Sequence, residues 1–260
     1  MKTPANYLKN REDAIRFLLR KPRSKYTPET FHKLRLEIKK LNAFFDLILY
    51  CSKDFKRNKT FKPYKLIFRQ AGKVRELQLE EAMLKKYLRY NSLHEYCNNL
   101  KIMRQKEADN FFLMIDNNFL EQLEKTQEML LPFLYEINHK KTNRYLEKKQ
   151  KKIKKRIEKG ISEKKELHQL RIRLKILNHN KTIYKKESAE KSDQKKENLT
   201  LLLGNWHDFQ SINKHLEKTL KNSQLSLEEL NHLKAIKIKI ATESQQLFDK
   251  INTILPQYKF

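Results

Sequence analysis

Only three glycines, Gly72, Gly160 and Gly204, and six prolines punctuate the 260 residues of this chain. Hairpins and tight β-turns draw on those residue types, so a chain this poor in them has little with which to reverse a strand. Apolar residues recur instead at helical spacing, and no stretch alternates Val, Ile or Thr between turn residues. The expectation is an all-α fold with no sheet. The length suits one large domain or two packed halves, with ample apolar residues for a core.

Breakers and caps divide the chain. A first helix is predicted over about residues 5–20, closed by "RKPRSKYTPE" with Pro22 and Pro28 as breakers. Thr27 before Pro28 is a cap with proline at the first helical position. The next helix is predicted from about 28 to 51. A polar connection, "CSKDFKRNKTFKP", leads to a short helix ending near 71, where Gly72 is expected to interrupt it before the pattern resumes over 73–90. Two or three long helices are expected from about 93 to 158, broken near Pro132 and Asn138. Gly160 is read as a C-terminal stop, "YKKESAEKSDQKKE" as a loose connection, and residues 225–254 as the final helix.

One short pattern occurs twice. "FHKLRLEIKKLN" (31–42) and "LHQLRIRLKILN" (167–178) place His32, Arg35 and Lys39, then His168, Arg171 and Lys175, at the same offsets. At about 100° per residue those offsets fall within about 60° of arc. Each copy is therefore an amphipathic helix with a row of proton donors, which Asn42 extends in the first. Leu34, Ile38, Leu41, Phe45, Ile48 and Leu49 form the apolar side of the first, and Leu170, Leu174 and Leu177 that of the second. A solvated cationic face would explain one such row, but it does not reproduce the histidine. A second landmark repeats in the same order: "GKVRE" gives Gly72, Arg75 and Glu76, and "GNWHD" gives Gly204, His207 and Asp208. Two landmarks recurring at nearly the same separation point to an internal duplication.

The formal charge of +27 favours a polyanionic partner, whether nucleic acid, an anionic membrane or a polymeric phosphate. Charge is uneven: residues 107–136 hold seven acids and one Lys, whereas 140–196 hold 22 Lys/Arg against seven acids. The densest part, "KKQKKIKKRIEKG" (148–160), reads as a solvated face or an electrostatic collar. Two cysteines, Cys51 and Cys97, make neither a disulfide scaffold nor a CxxC metal site. No run approaches the roughly 20 apolar residues that cross a bilayer, and the N-terminus has no apolar core of signal-peptide length. The expectation is a cytoplasmic, reduced protein.

His-x-x-Arg-x-x-x-Lys on a helix, followed by a Gly-x-x-[Arg/His]-acid element, with both duplicated, resembles the CHAD domain, the conserved histidine α-helical domain. The resemblance spans about residues 5–255 and is stronger in "LHQLRIRLKIL" and "LLLGNWHDF". It implies a single CHAD-like domain over 1–260, made of helical halves at 5–135 and 136–260 about a pseudo-two-fold axis with a basic groove or channel between them. It also implies binding of inorganic polyphosphate and location at polyphosphate granules. The chain leaves no room for the triphosphatase-type CYTH domain fused to some members. It departs from the family where Arg75-Glu76 stands for the usual Arg-Asp, and where Asn42 and Asn178 replace a common basic residue.

A linear polyphosphate offers no bases to read, so a binder needs dense positive charge and rows of N–H donors. The phosphate-binding candidates are His32, Arg35, Lys39, Arg69, Arg75, His168, Arg171, Lys175 and His207. Glu76 and Asp208 are candidates for orienting those groups or capping a helix, since a carboxylate would repel the ligand. Arg69 is the weakest of the set, because its counterpart in the second half is Leu201. Neither a cofactor nor a metal is expected. The expectation is a non-catalytic binder, since no magnesium-spaced carboxylates, phosphate-cradling Gly-rich loop or Ser-His-Asp order appears. Nucleic-acid binding is the alternative. It should bring exposed aromatics interleaved with basic residues, whereas Phe44, Phe45, Phe111 and Phe112 fall on apolar faces and Trp206 reads as a packing residue. Insertion of the basic helix into a membrane is disfavoured by its few apolar residues.

Overall fold

A computed structural model describes residues 3–87, 93–183, 194–222 and 225–258, the side chains of 194–197 and 222 excepted. Among the described residues the chain is helical, with no strand. The helices are α1 (Pro4–Leu19), α2 (Pro28–Cys51), α3 (Arg57–Thr60), α4 (Lys62–Tyr87), α5 (His94–Met114), α6 (Asn117–Glu128), α7 (Leu131–Leu134), α8 (His139–Glu158), α9 (Lys164–Lys181), α10 (Gln194–Asn222) and α11 (Leu227–Ile254).

The start and stop signals act where the sequence puts them. Thr27 Oγ1 accepts from the Thr30 NH, and Thr30 Oγ1 accepts from the Thr27 NH, both at 3.3 Å, with Pro28 at the first helical position. This reciprocal box satisfies two donors that a bare helix start would leave orphaned. Asn138 caps α8 and Ser226 caps α11 by a single bond each, accepting from the Lys141 NH and the Glu229 NH. Gly160, just past the end of α8, has φ +76°, a backbone region costly for any other L residue. The glycines at 72 and 204 break nothing: α4 and α10 run straight through them. The interruption expected at Gly72 is absent because a single glycine costs a helix only about 1 kcal/mol, less than the burial of its neighbours returns. The expected connection at 184–197 and the helical pattern at 88–90 lie largely outside the described residues.

Three apolar clusters hold the helices. In the first, Leu34, Leu41, Phe44, Phe45 and Ile48 of α2 are fully buried against α1, α4 and α5, with Tyr145 and Ile183 joining from the second half of the chain. Leu49, expected on that side, is 40% exposed at the edge of the α2 stripe. The second joins Leu77 and Leu84 of α4 and Leu100 of α5 to Leu216 of α10 and Ile240 of α11. The third packs Leu167, Leu170, Leu174 and Leu177 of α9 on Ile153 of α8, Trp206 of α10 and Ile251 of α11. Each such side chain contributes about 1.5–3 kcal/mol when fully buried.

The two motif helices, α2 and α9, pack directly on each other. Their crossing is pinned by a buried polar knot. The Asn180 amide donates to the Ala43 carbonyl (2.8 Å) and to the Tyr145 hydroxyl (2.9 Å), and that hydroxyl donates to Asp46 (2.7 Å). The knot ties α2, α8 and α9 together one turn beyond the last lysine of each row.

Candidate functional site

Crossing α2 over α9 sets both rows of donors on one cavity of about 410 Å³, closed on its other sides by α4 and α10. From α2 come His32, Arg35 and Lys39; from α9, Arg171, Lys175, Asn178 and His179. Arg75, Glu76 and Glu80 line it from α4, and Gly204, His207, Asp208 and His215 from α10. The lining thus carries five Lys/Arg and three acids. Among the described residues, no carboxylate oxygen comes within 4.0 Å of Arg35, Lys39, Arg171 or Lys175. A neighbouring cavity of about 550 Å³ is largely apolar, and its Lys86 and Lys250 are matched by Asp208 and Glu243. It lacks the excess of positive charge.

The first row is held from behind. The Arg35 guanidinium lies 4.1 Å from the centre of the Phe68 ring, and Nη1 donates to the Phe68 carbonyl at 2.6 Å. It passes over Gly72, where a Cβ would collide with Nη1. Gly72 is therefore the clearance that lets an arginine cross a helix backbone. Lys39 Nζ sits 5.7 Å from the same ring, giving one aromatic ring two cation contacts.

The second row is held less. Arg171 is 8% exposed, and its Nε has no hydrogen-bond partner. His168 stands outside the cavity lining, but its ring stacks on that of His207 at 5.3 Å, and His207 Nδ1 lies 3.3 Å from Asp208. A Cβ on Gly204 would meet nothing within 4 Å, so this glycine clears no arginine.

Burial and mutual repulsion weaken the cations. Burial, then Lys175, Arg35 and Arg171, pull the Lys39 ammonium down to about 7, with Asp208 working the other way. Burial and Arg171 lower Lys175 to about 8, again against Asp208. His179 falls to about 4, through burial and then Lys40, Lys175, Lys39 and Arg11. Burial first, then Arg75, lowers His32; burial first, then His207, lowers His168. Without a ligand this is a site short of anions.

Of the sequence-derived candidates, His32, Arg35, Lys39, Arg75, Arg171, Lys175 and His207 line the cavity, with Glu76 and Asp208. His168 reaches it through His207. Arg69 does not: it is exposed and absent from the lining, which on α4 begins at Arg75, about 9 Å further along the helix axis. Reading by motif missed His179, Glu80 and His215. Each extends a row by four residues, from Lys175 or Glu76, or by eight from His207, so continuing the helical period would have found them. Glu80 is buried beneath the cavity, gripped by the Tyr96 hydroxyl and by His215, whose charged form it favours. Trp206, as expected, is a packing residue, 2% exposed beside Phe248. Among the described residues no three His, Cys, Asp or Glu side chains are grouped to hold a metal, and no helix is long and apolar enough to cross a membrane.

The architecture matches a known one. The chain superposes on the crystal structure of the CHAD domain from the plant Ricinus communis with a TM-score of 0.81, covering 98% of this chain and 91% of that one at 14% identity. The chain adopts the CHAD fold. It is likewise similar to PptA from Streptomyces chartreusis, with a TM-score of 0.72 over 98% of both chains at 11% identity. No family model matches the sequence, and no curated protein matches it. At these identities the likeness speaks for the CHAD fold, and what the cavity binds rests on its own chemistry.

Proposed function

We propose that this CHAD-fold protein binds inorganic polyphosphate in the cavity between α2, α4, α9 and α10, without catalysing its turnover, and that the binding locates it at polyphosphate granules. The supporting observation is that Arg35, Lys39, Arg171 and Lys175 converge from both motif copies on one cavity and, among the described residues, meet no ion-pair partner there. Four enclosed cations without a direct ion pair cost free energy that a linear anion would return. Arg35 and Arg171 supply planar forks for phosphate oxygens, and the lysines supply mobile point charges. The histidines add donors at the sides. Glu76 and Asp208 favour the charged forms of Arg35 and of Arg171 and Lys175 respectively.

Nucleic acid fits less well. Apart from histidines, the described lining holds no aromatic side chain, so an unstacked base would find no platform. Phe44, Phe45 and Phe111 are fully buried, as expected of packing residues.

The test is titration of long-chain polyphosphate into wild type and the Arg35→Ala/Arg171→Ala variant. Two charge-assisted contacts at about 1.5–3 kcal/mol each predict a loss of about 100-fold or more. Undiminished affinity would move the site elsewhere. RNA at matched charge should compete poorly, and incubation of polyphosphate with the protein, with and without magnesium, should release no phosphate.

A further inference from the structure

The cavity leaves most of the positive charge unused, and the densest run lies on α8. That helix contributes no residue to the described lining. Along one face of α2 the cavity takes residues 32–39, Asn180 of α9 crosses at Ala43, and α8 docks beyond it, through Tyr145 and Lys149 on Asp46. The motif helix α9 therefore stands between α8 and the cavity.

The outer face of α8 is ordered rather than merely basic. At about 100° per residue, Arg144, Lys148, Lys151, Lys152, Lys155 and Lys159 share about 100° of arc, and the buried Thr142 and Ile153 lie about 140° round from its centre. All six are exposed, and among the described residues none has a carboxylate within 4.0 Å. Their neighbours Lys141, Lys149, Lys154 and Arg156 are the ones paired with acids, to Glu136, Asp46, Glu158 and Glu166. Glu147 and Glu158 fall outside the arc. The stripe runs for about 22 Å, and along it the Tyr50 ring lies 5.5 Å from Lys148 Nζ.

We infer that the outer stripe of α8 is a second contact surface for linear polyphosphate, separate from the cavity, so that one molecule holds a long chain at two places or joins two chains. The inference rests on the reading of the cavity as a polyphosphate site. An α8 stripe of exposed cations would bind through counterion release, with little dependence on ligand end or shape. The cavity would hold a few residues of the polymer in fixed geometry. Joining the two raises the local concentration of polymer at the second site, so affinity should climb with chain length beyond what fills the cavity.

The test compares tripolyphosphate with long-chain polyphosphate on wild type, the cavity variant Arg35→Ala/Arg171→Ala and the stripe variant Lys151→Gln/Lys152→Gln/Lys155→Gln/Lys159→Gln. The stripe variant should bind tripolyphosphate within about twofold of wild type. With long chains, its slope of log affinity against log salt should fall by about 3 for the four lost charges. Wild type mixed with long chains should scatter light through bridged assemblies, and the stripe variant should not. An unchanged slope and unchanged scattering would overturn the second surface, as would stripe-dependent scattering with RNA and none with polyphosphate. If the cavity variant kept full tripolyphosphate affinity, the reading of the cavity itself would fail instead.

Discussion

Arg35 and Arg171 hold the same place in two copies of one motif, yet their surroundings differ. Arg35 is braced by the Phe68 ring and carbonyl over a glycine that makes room for it. Arg171 is more deeply enclosed and has no such brace; its Nε is unpartnered and Gly204 stands in open space. One row is set in advance and the other is held waiting. The same sequence motif can thus supply a fixed anchor on one wall of a cavity and a destabilised, adjustable one on the other.

The comparison can be broken most directly at the arginines. Arg171→Met should stabilise the free protein by about 1–3 kcal/mol, because it removes an uncompensated buried charge, while Arg35→Met should not. Both should lose polyphosphate affinity. Chemical denaturation of the two variants decides the point, and equal effects would erase the distinction. A tenfold effect is expected at the glycines: Gly72→Ala displaces Arg35 and weakens binding about tenfold. Gly204→Ala should leave affinity unchanged and add up to about 1 kcal/mol of stability through helix propensity. Calorimetric titration alongside thermal melts separates these outcomes.

Proton linkage sharpens the comparison further. Lys39 and Lys175, lowered to about 7 and 8, lose charge in the empty cavity as pH rises from 7 to 9, so affinity should fall by about tenfold over that range, and binding near pH 8 should take up protons. The sign for folding is opposite. A cation whose folded value lies below its unfolded one opposes folding below the folded value, and the penalty fades as pH climbs toward the unfolded one. The free protein should therefore gain stability from pH 7 to 9 as far as these groups govern it. Affinity that rose with pH would exclude both lysines from the site. The smallest effect is expected at His168→Ala, about threefold, since that ring acts through His207.

Much of this was legible in the chain. The bounds of α2, the Thr27–Pro28 start and the Gly160 stop were written in local chemistry, and the rows were visible because helical spacing puts them on one face. Gly72 misled: in sequence it looks like a break, but whether a helix runs through depends on what packs beside it. Gly72 is explained by Arg35, which lies 37 positions away. Arg69 drew attention by proximity in sequence, but it lies short of the cavity along the axis of α4, whose lining begins at Arg75. Glu80 and His215 could be placed by continuing the helical period, but their pairing could not be read there, because it also depends on Tyr96 of α5. The unequal bracing of the two arginines was beyond reach for the same reason.

The knot of Asn180, Tyr145 and Asp46 has a mechanical consequence. By fastening α2 to α9 just past Lys39 and Lys175, it fixes the gauge between the opposing walls before any guest arrives. Spreading them would strand an amide and a hydroxyl away from water. On the proposed reading, walls held at a fixed spacing would select a linear anion by its thickness and charge density.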